Sequence, residues 1–390
     1  MKILFIGDSY LPVNCGMTSV IKYLAEGLLS KGHDVSVIAN VGGRNLPDNE
    51  NINGVKVYRF QLNRNHLNKV TGATDKLYKF VTQYNADVII FQALGSIPFD
   101  ALVPVMKKLP GKKILHSHGN TFVTLRLFRF NDGFIYALSS IKAKILLGWQ
   151  NYFVYPAVIS HMDHVIILSR QCSDNKLMSR YAKNLSVIGN AVDNMFFDEH
   201  VEVYNLPTKH KKYILSIASF YELKNQKLMV ESYGKLKVKG YSLVLIGQTR
   251  NAYFDAVRQM ADELQAADTD KDIVMLTGID RRYFPYILRN ASLYLVASRK
   301  EEFSISLAEA MSSGLPFVST DVGNAHELPG GIVIEKDAEM AESMERFLGD
   351  DNFRSGKATE AKAYANANFK QEEAIEKLNS IVSNLKTTSI

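Results

Sequence analysis

The sequence predicts an α/β fold of two Rossmann-like, doubly wound domains, each a parallel sheet with helices on both faces. Three observations support it. Short apolar runs alternate with helix-length segments, the rhythm of βαβ units. That rhythm stops in a polar stretch from Asp198 to Lys212, which contains Pro207, and restarts after it. Finally, 390 residues exceed one ordinary hydrophobic core and suit two domains.

The first domain is expected over residues 1–200. Residues 2–6 form an apolar run, followed by a loop holding Pro12 and Gly16. Val20, Ile21, Leu24, Leu28 and Leu29 then recur at helical spacing until Gly32 ends the helix, and Val35–Ile38 begins the next strand. Buried strands are expected at Asp87–Phe91, Lys113–Leu115 and His164–Leu168. The second domain is expected over 205–365, with strands at Lys212–Ala218, Ser242–Ile246, Ile273–Leu276, Leu293–Ala297 and Pro316–Ser319. From about Ala358 to Leu385 the chain reads as helix.

Composition narrows the function classes. With 46% hydrophobic and 22% charged residues the chain is that of a folded soluble protein. The start, Met1-Lys-Ile-Leu-Phe-Ile-Gly-Asp8, is too short an apolar run for a signal peptide, and no apolar segment is long enough to span a bilayer, so a cytoplasmic location is expected. Cys15 and Cys172 are too few for a disulfide framework or a thiolate zinc site. The net charge of +6 is uneven: residues 1–200 carry 22 Lys and Arg against 14 acids. The excess concentrates in 101–150, where Asp132 is the single acid among basic residues interleaved with Phe122, Phe128, Phe130, Phe134, Tyr136 and Trp149. Such a surface suits anionic lipid headgroups, giving an expected peripheral contact with the cytoplasmic membrane face; an ordinary solvated basic face is the alternative. No nucleic-acid motif accompanies it, so no nucleic-acid partner is expected.

The most specific chemistry lies in the stretch from Ser298 to Pro316. Ile305, Leu307, Ala308, Ala310 and Met311 supply a helical apolar face, and Gly314 and Pro316 supply its stop. The helix therefore starts near Ser304, with Glu301 in the loop before it and Glu309 two turns beyond Glu301's end of it. Unpaired amides at such a start favour an anion held over Phe303, Ser304 and Ile305.

This arrangement resembles the Glu-x7-Glu signature of the retaining glycosyltransferases of family 4, whose fold, GT-B, has two facing Rossmann-like domains with an interdomain cleft. The family's Glu-Gly-Phe-Gly reads Glu301-Glu-Phe-Ser304 here, and Glu309-Ala-Met-x-x-Gly-x-Pro and Val318-Ser-Thr-Asp-Val-Gly323 also fit. The resemblance implies that Glu301 lies beside the donor sugar, that the backbone of Phe303, Ser304 and Ile305 meets sugar hydroxyls or phosphate, and that Glu309 accepts the ribose hydroxyls.

Further positions follow by the same resemblance. Gly16 stands in Cys15-Gly16 where the family shows a glycine pair near the donor diphosphate or acceptor. His118, in Leu115-His-Ser-His-Gly-Asn120, matches the family's His-Gly better than His116 does and would reach the reacting sugar; Asn120 replaces a frequent Asp. Lys224 occupies the lysine position that neutralises the departing diphosphate. Ser219 occupies the accompanying arginine position, which leaves Arg250, Arg281 and Arg282 as candidate substitutes. Backbone around Ile279 would meet the nucleobase. Asn190 and Asp193 suit turns rather than chemistry. Asp268-Thr-Asp270 lacks the buried strand that a metal-binding Asp-x-Asp requires, so no metal and no cofactor are expected beyond a nucleotide diphosphate sugar as co-substrate.

The resemblance thus implies a retaining, metal-independent, hexosyltransferase-type enzyme that passes a sugar to a glycan or lipid-linked glycan in bacterial surface polysaccharide biosynthesis. It also implies that the C-terminal helix, about 366–390, returns to the first domain. Two alternatives stay open: a GT-B nucleotide-sugar epimerase, and a non-catalytic subunit that binds sugar nucleotide.

Overall fold

The computed structural model describes residues 1–13, 15–65, 69–119 and 148–387. Asn120 and the aromatic residues Phe122 to Tyr136 of the basic segment lie outside that range. The chain divides into two compact units, residues 1–189 with 372–390, and residues 190–371. The division falls ahead of the polar Asp198–Lys212 stretch.

The first unit is built on an eight-stranded sheet with the order β10-β9-β8-β7-β1-β2-β4-β3. Its central strands are β1 (Lys2–Ile6), β2 (Asp34–Asn40), β7 (Val88–Gln92), β8 (Lys112–His116) and β9 (His164–Ile167), with β10 (Leu185–Val187) at one edge, while β5 (Leu62–Arg64) and β6 (Val70–Gly72) form a separate pair. All neighbours pair in parallel except β3 (Asn49–Ile52) with β4 (Val55–Phe60). The middle strands are nearly continuous apolar runs because helices cover both faces of a parallel sheet. Ile3, Leu4, Phe5 and Ile6 are fully buried.

The second unit has a six-stranded, all-parallel sheet with the order β13-β12-β11-β14-β15-β16. The strands are β11 (Lys212–Ile217), β12 (Tyr241–Gly247), β13 (Ile273–Thr277), β14 (Leu293–Val296), β15 (Phe317–Thr320) and β16 (Gly331–Ile334). The chain moves outward from β11 to β13, then crosses back to β14 on the other side of β11. Connections leaving adjacent β11 and β14 therefore run to opposite faces, opening a crevice at the carboxyl ends of those two strands. In the first unit β1 holds the corresponding position, with β2 on one side and β7 on the other.

The C-terminal segment is two helices rather than the one expected. Asp351–Asn368 belongs to the second unit, and Gln371–Thr387 belongs to the first. Between them Lys370 bridges to Val192, and the Phe369 ring packs edge-on against the rings of Phe303 and Tyr364. The last helix packs so closely on Gly16–Ser30 that a Cβ added at Gly27 would lie 2.4 Å from Ile375 Cδ1 and 2.9 Å from its Cγ2. Among the described residues no helix is long and apolar enough to cross a membrane.

Gly27 is thus a contact glycine. Alanine is the better helix former by about 1 kcal/mol, yet Gly27→Ala is expected to destabilise the first unit by about 1–3 kcal/mol through overpacking. Adding Ile375→Ala should recover part of that loss in urea denaturation. Simple stabilisation by Gly27→Ala would contradict the packing.

Candidate functional site

The second unit gathers most of the predicted residues around the β11/β14 crevice. Lys224 ends a short 3₁₀ turn, Glu222–Lys224, in the connection after β11. Glu301 lies in the connection after β14. Backbone joins the two: the Arg299 amide donates to the Leu223 carbonyl at 2.7 Å. Lys224 Nζ forms an ion pair with Glu301 Oε1, which also accepts from Ser298 Oγ at 2.8 Å. Glu301 is therefore a fixed carboxylate. Among the described residues no second oxygen meets Lys224 Nζ, which leaves two of its three N–H donors for another oxygen.

Other contacts hold the Glu301 loop from outside. Thr320 Oγ1 donates to the Ser298 carbonyl at 2.7 Å, and Arg299 makes a forked pair with Asp337 at 2.9 and 2.6 Å. Gly323 has φ +56°, and a Cβ there would sit 3.0 Å from the Glu302 carbonyl oxygen. Any side chain at that position would push the loop out of place.

The helix Ile305–Ser312 starts where the sequence predicts. Ser304 is its N-cap, and its Oγ accepts from the Leu307 amide at 3.4 Å. The amides of Ile305 and Ser306 precede the first helical hydrogen bonds, so this end carries partial positive charge. Phe303, Ser304 and Ile305 are all half-buried. Phe303 stacks edge-on with Phe369 at 5.9 Å between ring centroids.

Glu309 sits on the same helix between Ala308 and Ala310 and is only 2% exposed. Burial pushes its carboxyl above the ordinary carboxylate range, the nearby charge of Asp193 adds to that, and Arg281 opposes both. The guanidinium of Arg281 pairs directly with Glu309 Oε1. Arg281 comes from the connection after β13, two residues beyond Ile279, which is half-buried beside the left-handed Gly278. The other two candidate arginines have separate partners. Arg250 pairs with Asp255, and Arg282 lies 3.4 Å from Asp280 and 3.7 Å from Glu202. Ser219 is exposed, and its carbonyl accepts from Gln226.

Gly16 and His118 belong to the first unit. Gly16 is the exposed first residue of the helix Gly16–Ser30, after a Cys15 cap position that makes no side-chain capping bond. Cys15 Sγ instead lies 3.2 Å from Thr18 Oγ1, which meets Ser9 Oγ at 2.9 Å. His118 follows β8. Its Nε2 donates to Gln92 Oε1 at 2.7 Å, at the end of neighbouring β7. Burial lowers the His118 pKa to about 4, so the ring is neutral near pH 7 and Nδ1 is its acceptor. His116 is fully buried with both ring nitrogens unpartnered, and its ring lies 4.5 Å from that of His118.

Two functional contacts escaped the sequence reading. Ser298 as a ligand of Glu301 lies within the motif, yet nothing distinguishes its hydroxyl from any other before the loop closes. Arg281 as partner of Glu309 could have been sought from a simple conflict, a carboxylate in the middle of a buried helix face, which requires a cation from elsewhere.

Known proteins share the family and fold of this chain. Residues 196–366 match the family described as glycosyl transferases group 1, and residues 15–195 match glycosyltransferase family 4. An uncharacterized glycosyltransferase of Methanocaldococcus jannaschii is 24% identical over 376 residues, covering 91% of this chain and 90% of that protein. The N-acetylgalactosamine-N,N'-diacetylbacillosaminyl-diphospho-undecaprenol 4-alpha-N-acetylgalactosaminyltransferase of Campylobacter jejuni is 29% identical over 163 residues, 40% of this chain and 42% of its own length. Among solved structures, sucrose-phosphate synthase from Thermosynechococcus elongatus superposes with a TM-score of 0.74 at 17% identity, covering 99% of both chains. WaaG, a glycosyltransferase involved in lipopolysaccharide biosynthesis, gives 0.64 at 17% identity, covering 97% of this chain and 99% of its own. These likenesses identify the fold as GT-B.

The neutral His118 has a pH consequence. Its folded pKa lies below the unfolded value of about 6.5, so the unfolded chain takes up the proton first and stability is lost as pH falls from about 6.5 towards 4. Wild type should therefore lose more stability over that window than His118→Gln, measured by thermal unfolding at stepped pH. Parallel losses in the two proteins would contradict the buried neutral ring.

Proposed function

This chain belongs to glycosyltransferase family 4, its second unit to the group 1 glycosyl transferases, and on that premise we propose that it transfers a sugar, with retention of anomeric configuration, from a nucleotide diphosphate sugar to a glycan or lipid-linked glycan. The observation that carries the reading is the pair of carboxylates flanking one helix start. Glu301 is fixed by Lys224 and Ser298, and Glu309 is buried and paired with Arg281.

The chemistry follows from those positions. The donor diphosphate lies over the start of Ile305–Ser312 and against the unused donors of Lys224, which stabilise negative charge as the sugar–phosphate bond breaks. Glu309 accepts the ribose hydroxyls, backbone at Ile279 meets the base, and Glu301 holds hydroxyls of the donor sugar. The acceptor attacks the face from which the diphosphate leaves, and a donor phosphate oxygen takes its proton, so no enzymatic nucleophile and no metal are required. In the first unit we assign sugar contacts to His118, with Nδ1 as acceptor, and to Gly16, whose missing side chain permits a close backbone approach. The acceptor belongs to that unit.

A thermal-shift screen of UDP, GDP and ADP sugars tests the donor assignment. Glu309→Ala should weaken nucleotide binding by about ten- to a hundredfold, the cost of losing hydrogen bonds to a charged group, while Glu301→Ala should lower turnover more than donor affinity. Unchanged binding and activity in both variants would remove the basis of the proposal. Interconversion of the sugar nucleotide without acceptor would instead establish an epimerase, and tight binding with no turnover on any acceptor a non-catalytic subunit.

The lipid-linked acceptor, and with it a place in bacterial surface polysaccharide synthesis at the cytoplasmic membrane face, is supported by the Campylobacter relative, whose name carries a diphospho-undecaprenol acceptor. It is also supported by the exposed Trp149, Tyr152 and Phe153 and by exposed Lys107 and Lys108. Flotation with liposomes should show greater recovery on anionic than on neutral lipid, and Trp149→Ala with Phe153→Ala should reduce it. Equal recovery on both lipids would exclude the anionic surface.

A further inference from the structure

Arg281 is held by two groups of the second unit. One guanidinium nitrogen donates to Glu309 Oε1, and the guanidinium carbon lies 5.2 Å from the ring centroid of Phe196, itself fully buried. The arginine side chain is 52% exposed, so its own burial does not require the pair. Glu309, by contrast, has no other cation partner among the described residues, and no hydrogen bond reaches its Oε2 there. The arrangement therefore serves the glutamate: one oxygen is clamped, the other is left for a ligand.

Charge makes the clamp necessary. A carboxylate in an apolar setting tends to take up a proton, and a protonated acid cannot accept from two neighbouring hydroxyls as a carboxylate does. Asp193, at the cap of the 3₁₀ turn Asn194–Phe196, adds negative charge near Glu309, and Tyr294 of β14 feels the Glu309 charge without neutralising it. Arg281 is the cation that counters both burial and Asp193. The Phe196 ring restrains it by a cation–π contact, so its planar donor approaches Glu309 from a set direction.

We propose that Arg281 is a positioning residue for the ribose of the bound nucleotide, acting through Glu309 by fixing its rotamer, and not a ligand of the diphosphate in place of Ser219. This rests on the donor-site reading above. It gives Arg281 a role apart from the diphosphate contact that its charge alone suggests, one nitrogen of its fork being committed to Glu309.

Calorimetric titration of the full chain with UDP, GDP and ADP, and then with the 2′,3′-dideoxy form of whichever binds, tests the proposal. Arg281→Met should weaken the ribonucleotide by about tenfold and leave the dideoxy nucleotide unchanged. Arg281→Lys should restore part of the loss. On Glu309→Gln, the same Arg281→Met change should cost nothing further, since the group it acts through is gone. The affinity of Arg281→Met alone should also fall away, as pH is lowered, at a higher pH than that of wild type, because Glu309 without its cation protonates sooner. Thermal unfolding of each variant separates these effects from misfolding. Equal weakening of ribo and dideoxy nucleotides by Arg281→Met would place the arginine on phosphate or base and overturn the proposal, as would no weakening at all. If Glu309→Gln itself binds like wild type, the donor-site reading fails first.

Discussion

A buried carboxylate is the constraint around which the second unit is arranged. Glu309 occupies a helix face that otherwise packs Leu307, Ala308, Ala310 and Met311 into the core. Placing a charge there is unfavourable unless a cation meets it with good geometry. The partner comes from the connection after β13, which draws that loop towards the helix start and leaves Phe196 and the Asp193 turn packed behind it. Glu301, only a short distance earlier in sequence, solves the same problem differently. It stays in a loop and is neutralised by Lys224 from the neighbouring connection. The two carboxylates of the motif thus differ in kind: one is a rigid element of the core that offers a single oxygen, the other a loop residue tied by side chains.

Sheet topology explains why these loops and no others meet. Adjacent β11 and β14 send their connections to opposite faces, and the gap between them is bridged by Lys224 and Glu301. Supporting contacts are distributed over the loops after β14, β15 and β16, through Ser298, Gly323 and Asp337. A site assembled from so many connections depends on the sheet for its precision more than on any single residue.

Much of this was legible in the sequence, for physical reasons. Strands buried on both faces must be apolar throughout, so β1, β7, β11 and β14 stand out as runs. The Glu309 helix announces its ends by Ser304 and Gly314. The elements that did not stand out are those without a continuous apolar run. At the edge of the first sheet β3 alternates exposed and half-buried residues, β4 alternates buried residues with exposed or half-buried ones, and β16 is four residues beginning with glycine. The break at Phe369 and Lys370 was hidden because helix-favouring residues continue on both sides; it is set by tertiary contacts with Val192 and Phe303. Arg281 stands in the sequence as a spare cation. Its attachment to Glu309 was not readable, since ion pairing between loops leaves no fixed spacing in the chain.

The last helix has a consequence for biosynthesis. Gln371–Thr387 covers Gly27 on the helix Gly16–Ser30 and pairs with it through Lys31 and Glu376, yet the ribosome makes it only after the whole second unit. The nascent first unit, residues 1–189, must therefore wait with that face uncovered while residues 190–371 emerge. Its apolar surface stays open to chaperones or to self-association for the time that synthesis of the second unit takes. Completion of the first unit thus waits on residues made after the second.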